Sequence, residues 1–172
     1  MAARGLWRIG RLGCVDRGLT YPPTTMQFAG TTEIKAPRAK VWAFVVDPLQ
    51  VGWCGPGVES IEAVDPAHFK ARAKVGIGPI SARFAVNLEL AEAVEPERAV
   101  ILASGNAPGS AVDARGEMVL SGPAEGPTTM AWSADVQIMG SMAAIGSRLI
   151  EGTANKLIGQ AFDCMRAKLE AA

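Results

Sequence analysis

Polar and apolar residues alternate through most of the middle of this chain, and the alternation gives way to a different period only near its end. Between positions 80 and 94 it is strict: Ile80, Ala82, Phe84, Val86, Leu88 and Leu90 share one face, and Ser81, Arg83, Asn87 and Glu89 the other. Side chains along a strand point alternately to the two faces of a sheet, so this run predicts a strand with one dry side and one wet side, as in antiparallel meanders. Six further strand signals lie at 26–34, 58–64, 69–75, 99–104, 112–121 and 128–138, with glycine and proline breaks between them. After the first strand, residues 37–46 open on Pro37, carry Val41, Trp42, Phe44 and Val45, and stop at Asp47-Pro48, because the residue before proline avoids helical angles. A second short helical turn over 49–54 is cut off by Gly55-Pro56-Gly57.

The period changes over 142–169. Apolar residues recur there at Met142, Ile145, Leu149, Ile150, Leu157, Ile158, Ala161, Phe162, Met165 and Leu169, while Arg148, Glu151, Lys156, Asp163, Arg166 and Lys168 fall largely on the other side. Steps of three and four predict one amphipathic helix, roughly 40 Å long at ~1.5 Å per residue, too charged to cross a bilayer and long enough to span a sheet. The predicted class is α+β, a seven-stranded antiparallel sheet with two short helices after its first strand and a long C-terminal helix against its dry face.

Parity identifies the positions that face this helix: Phe69, Ala71, Ala73 and Val75; Ala114, Gly116, Met118 and Leu120; Met130, Trp132, Ala134 and Val136. Several are alanine or glycine, too small to fill the space under a curved sheet. Either the helix sits close to them, or a cavity of a few hundred Å³ remains.

Composition narrows the picture. With 172 residues, 49% of them apolar, and no net charge, the chain reads as one globular domain without a nucleic-acid partner. The charge is uneven: Arg4, Arg8, Arg11 and Arg17 against Asp16 give residues 1–25 a charge of +3 and leave −3 for the rest. Residues 1–25 are therefore read as a disordered or over-annotated extension, with a targeting segment as the other reading, and 26–172 as the domain. Cys14, Cys54 and Cys164 are odd in number, far apart and without a CxxC pair, which argues against a disulfide framework or a zinc site and for a reducing cytoplasm.

Candidate chemistry is sparse. The dry-face positions hold no acid or base, His68 sits beside a turn as a solvated residue or a structural hydrogen-bond partner, and Glu117 and Asp135 fall on the wet parity. Gly76-Ile77-Gly78-Pro79 lacks the third glycine and the following helix of a dinucleotide fingerprint and reads as a turn. Arg148, near a helix start where the dipole does not favour a cation, is either solvated or held by a carboxylate or a ligand oxygen. Trp53, beside Cys54, is placed either at a groove mouth with the glycine-rich 104–110 loop or as a buried plug.

The order of elements is that of the helix-grip domains, the START-like or SRPBCC superfamily. Ala36-Pro37-Arg38 with Val41-Trp42, Asp47-Pro48, Gly55-Pro56-Gly57-Val58-Glu59-Ser60, Val75-Gly76-Ile77-Gly78-Pro79-Ile80 and the run from Gly146 to Leu157 (GSRLIEGTANKL) closely resemble the family of the carbon monoxide dehydrogenase G subunit, in the right order over 26–169. The resemblance implies a non-catalytic accessory protein of a molybdenum hydroxylase, assisting its recruitment or maturation, cytoplasmic or peripheral at the inner membrane face. It also implies a hydrophobic ligand, a quinone or a lipid, under the C-terminal helix. Parity and resemblance together predict a groove lined by Trp53, Phe69, Ala71, Ala73, Phe84, Val86, Met118, Met130, Trp132, Ala134, Leu149, Leu157 and Phe162, with no catalytic residue, no metal and no other cofactor. Some members continue past the helix into a membrane-binding tail, whereas this sequence ends at Ala172, so the expected membrane contact is peripheral, through Leu6, Trp7, Ile9 and Leu12 among the N-terminal arginines. The alternative is a small enzyme of the polyketide cyclase or hydrolase type, which requires an ionisable group inside the groove.

Overall fold

The computed structural model describes residues 23–171. Its elements are β1 (Thr24–Ile34), α1 (Arg38–Val45), α2 (Pro48–Val51), a 3-10 turn Gly52–Cys54, β2 (Val58–Ala63), β3 (His68–Ile77), β4 (Ile80–Val94), β5 (Arg98–Ala107), β6 (Ser110–Ser121), β7 (Thr128–Gly140), a second 3-10 turn Ala143–Ile145, and α3 (Ser147–Glu170). The seven strands form one antiparallel sheet in the order β1-β7-β6-β5-β4-β3-β2. Strands β2 to β7 are thus successive hairpin neighbours, the pairing that short turns allow. The chain leaves β1 at one edge of the sheet and enters β2 at the other, and α1 and α2 make the crossing.

Local chemistry fixes this crossing. All of Val41, Trp42, Phe44 and Val45 are buried on α1. Asp47 ends that segment and caps α2, its carboxylate accepting from the Leu49 amide at 3.0 Å with Pro48 in the first helical position. The buried Thr128 hydroxyl donates to the Ala36 carbonyl at 2.8 Å, which ties the start of β7 to the chain after β1. A register shift between Leu90 and Glu92 in β4 adds local twist where the sheet curves.

Four details depart from the expectations. The long helix begins at Ser147, because Met142–Ile145 makes a separate tight turn and Gly146, at φ 107°, breaks the chain direction. The segment 104–110 is the end of β5 and the start of β6, paired up to Ala107 and Ser110 and joined by the two-residue turn Pro108-Gly109, where a glycine-rich loop was expected. Strand β1 already includes Thr24 and Thr25, paired with Ile138 and Gln137, while residues 1–22, with their arginines, apolar residues and Cys14, lie outside the described residues. Finally, Cys54 and Cys164 form a disulfide, with Cα atoms 5.4 Å apart, which overturns the reading of the cysteines. Counting and local spacing look for a motif, whereas the fold brings together two positions 110 residues apart. The cysteines therefore no longer argue for a reducing compartment. Among the described residues no helix is long and apolar enough to cross a membrane.

The dry face of the sheet and the stripe of α3 enclose two apolar clusters. One gathers Ile34, α1, Cys54, Ala99, Leu120 and Met130 around Met165 and Leu169 at the C-terminal end of α3. The other gathers Ile77, Phe84, Ile138, Met142 and Ala143 around Ile150 at its N-terminal end. Helix α3 comes close to β1 and β3 at the sides of the sheet, to α1 and to both 3-10 turns, and stands further off the middle strands.

Candidate ligand-binding cavity

Under the first half of α3 lies a cavity of about 240 Å³. Its sheet wall is Ala73, Val75 and Ile77 of β3, Phe84 and Val86 of β4, Ala103 and Gly105 of β5, Val112 and Ala114 of β6, and Val136 and Ile138 of β7. Met142, Ile150, Thr153, Ala154 and Leu157 close it from the other side. It stays open because the central strands carry small residues where the helix passes over them. A Cβ added to Gly105 would meet the Phe84 ring at 3.5 Å, ordinary contact, and would fill space that is now empty. On α3, Thr153, Ala154 and Leu157 are only half-buried, whereas Ile150 before them and Met165 after them are buried.

Of the thirteen residues expected in the groove, the structure brings Ala73, Phe84, Val86 and Leu157 together in this wall. Phe69 and Ala71 are buried on the same face of β3, further along toward the packed end. Met130 belongs to the packed cluster, and Met118 leans on it. Trp132 and Phe162 stack on each other, ring centroids 5.1 Å apart, joining β7 to α3 beyond the cavity, and Ala134 is half-buried between Trp132 and Val136 on β7. Leu149 is 44% exposed and touches the β3–β4 turn, where a Cβ on Gly78 would lie 2.9 Å from its side chain. Trp53, 49% exposed, is neither plug nor cavity wall and instead lines a separate surface hollow with Lys40, Leu49, Gln50 and Lys168. The sequence reading singled out for the groove neither Ile77, Val112, Ile138, Thr153 and Ala154 nor the two residues of β5, Ala103 and Gly105. The alternation Ile101, Ala103, Gly105 carried the signal, with the smallest residue last.

Charge is kept off this cavity. Among the described residues the one buried polar side chain is Thr128, far from it in the sheet, and no group of metal-ligating side chains occurs. On the outer face, Arg98 donates to both Glu92 and Glu117, and Arg115 also donates to Glu117 at 3.2 Å. The hydrogen bond from Arg98 holds the Glu117 carboxyl below its usual range, and Glu117 in turn raises Arg98. His68 Nδ1 lies 2.8 Å from Asp65, which pushes the imidazole up and the carboxyl down. His68 is thus solvated, its side chain 53% exposed, and at the same time held by a structural hydrogen bond. Arg148 is exposed and makes no ion pair among the described residues. A broader trough of about 540 Å³ crosses the outer face past His68, Glu89, Arg115 and Asp135. Leu102 and Ala103 lie in it beside the charged side chains of the wet face, whereas the inner wall carries no charge at all, so the smaller inner cavity is the better candidate for an apolar ligand.

The inner wall carries no carboxylate, imidazole or phenol, and the Thr153 hydroxyl is its one polar side chain, so its surface is suited to hydrocarbon. Solved structures with this arrangement include a conserved protein from Geobacillus kaustophilus, 25% identical over 84% of this chain and 95% of that one, with a TM-score of 0.77. An aromatase/cyclase, Zhui, from a Streptomyces species is 17% identical over 86% of this chain and 94% of its own, with a TM-score of 0.61. A START superfamily protein from Mycobacterium smegmatis is 11% identical over 84% and 97%, also with a TM-score of 0.61. These likenesses establish a START/SRPBCC-like helix-grip fold. A comparison with curated proteins finds no match. The family of the carbon monoxide dehydrogenase G subunit (CoxG) matches residues 30–170, nearly the whole described domain, and the chain belongs to that family.

Proposed function

We propose that this protein is a non-catalytic accessory protein that carries a hydrophobic ligand, a quinone or a lipid, in the cavity under α3 and serves a molybdenum hydroxylase of the carbon monoxide dehydrogenase type. The observation that carries the ligand half is the wall itself, aliphatic and aromatic throughout except for the Thr153 hydroxyl. An apolar, partly open site without an acid or base suits storage and delivery better than catalysis, and membership of the CoxG family supports an accessory role beside the enzyme in the family's name. Peripheral contact with a membrane face would give such a carrier access to apolar ligands.

Native mass spectrometry after mild purification, followed by solvent extraction, tests the ligand half. The expected result is a retained apolar molecule, and a chain that stays empty and shows no shift in melting with quinone analogues sinks it. For the partner half, the tagged chain is expected to co-purify with the hydroxylase of its own cell; absence of that complex overturns it.

A further inference from the structure

The cavity wall is more selective than a general apolar pocket. Most of the sheet wall, from Ala73 and Val86 across β5, β6 and β7, has a paired strand on both sides, and one-sided pairing is confined to the β3–β4 hairpin tip beyond Ala73 and before Ala85, so the middle of the wall offers no free backbone donor. The helix side is equally closed, since Thr153, Ala154 and Leu157 lie within the body of α3, where amides are used in the helix itself. One half-buried hydroxyl, Thr153, is the whole side-chain polar inventory. A quinone ring brings two carbonyl oxygens and an acyl lipid a head of several, and each acceptor buried without a donor costs roughly tenfold or more in affinity. Size points the same way: 240 Å³ holds roughly eight groups of the size of a water molecule or a methylene, too little for a head and a long tail together.

We infer that the cavity is a tail pocket: it takes the hydrocarbon chain of its ligand and leaves the polar head outside the wall. This rests on the carrier reading above and sharpens it, because a head held outside can react with a partner while the chain stays bound. The chain is either straight acyl or branched isoprenoid, and both chemistries fit an aliphatic wall.

Calorimetric titration of the full chain with hexanol, octanol, dodecanol, farnesol and the tailless duroquinone tests it. Affinity is expected to rise roughly fifteenfold from hexanol to octanol, about fourfold per methylene, and to level off toward dodecanol as the cavity fills. Duroquinone is expected not to bind. Farnesol tighter than dodecanol assigns the chain as isoprenoid, and the reverse order as acyl. Ala154→Leu, which fills the cavity, is expected to weaken octanol at least tenfold while melting no lower than the parent, and Ala73→Val serves if that variant does not fold. Duroquinone binding as tightly as octanol overturns the tail pocket and leaves the carrier reading standing. Alcohols that bind both filled variants as well as the parent also overturn it. Failure of every ligand overturns both.

Discussion

The two ends of α3 carry the same amphipathic stripe and meet different surroundings. At the C-terminal end Met165 and Leu169 are buried among Trp42, Phe44, Val45 and Met130, and Cys164 is bonded to Cys54. At the N-terminal end Ile150 is buried, but Thr153, Ala154 and Leu157 hang half-exposed over alanine and glycine. The difference lies in the partners: α1 brings large side chains to one end, and the central strands bring small ones to the other. Stability is therefore concentrated where the helix is packed, and binding where it is not. The Trp132–Phe162 pair stands between the two.

The largest test of that contrast is truncation on the packed side. Leu169→Ala is expected to cost about 2–5 kcal/mol in equilibrium denaturation, whereas Leu157→Ala, already beside empty space, is expected to cost under about 2 kcal/mol. Equal losses would break the comparison. Next, replacing both Cys54 and Cys164 by alanine is expected to cost roughly 2–4 kcal/mol, and adding a dithiol reductant to the parent should have a similar effect. The octanol affinity should survive either change, because the pair lies at the end away from the cavity. Gly105→Ala is smaller still: its Cβ would find ordinary contacts with Phe84 and Val86, so a change within about 1 kcal/mol, in the stabilising direction, is expected together with weaker ligand binding.

Smallest is the outer-face pair of His68 and Asp65. Since Asp65 raises the folded imidazole, its contribution is complete at pH below the unfolded histidine value and fades as pH rises through the folded one. The lowered Asp65 acts in the opposite sense, its contribution being lost as pH falls through the folded carboxyl value. Asp65→Asn should bring the histidine titration, followed by NMR, back toward its ordinary value with no measurable change at the cavity. A shift in ligand affinity with that titration would contradict the separation of the two faces.

Alternation and period made the fold readable. Every strand and both short helices lie where the spacing placed them to within a few residues, because side-chain parity in a half-wet sheet is set by burial alone, and α3 differs at its start, where Gly146 separates off a 3-10 turn. The site was readable only in part. Parity names the face a residue occupies, not its distance along the groove, so Phe69, Met118 and Met130 share the face of Ala73 and Phe84 and yet lie toward the packed end. The disulfide had no local pattern to announce it. Trp53 lies on a short turn whose orientation depends on how α1 and α2 cross under the sheet, which no period encodes.

The bond between Cys54 and Cys164 also has a topological consequence. It closes a covalent ring that contains β2 through β7 and α3 as far as the bonded cysteine, so every residue of the cavity wall, from Ala73 to Leu157, sits inside it. Among the described elements β1, α1, α2 and the first 3-10 turn lie on the entering arm. A single backbone cut at any hairpin of the ring leaves one connected molecule, and the walls of the cavity stay tethered to each other through sulfur.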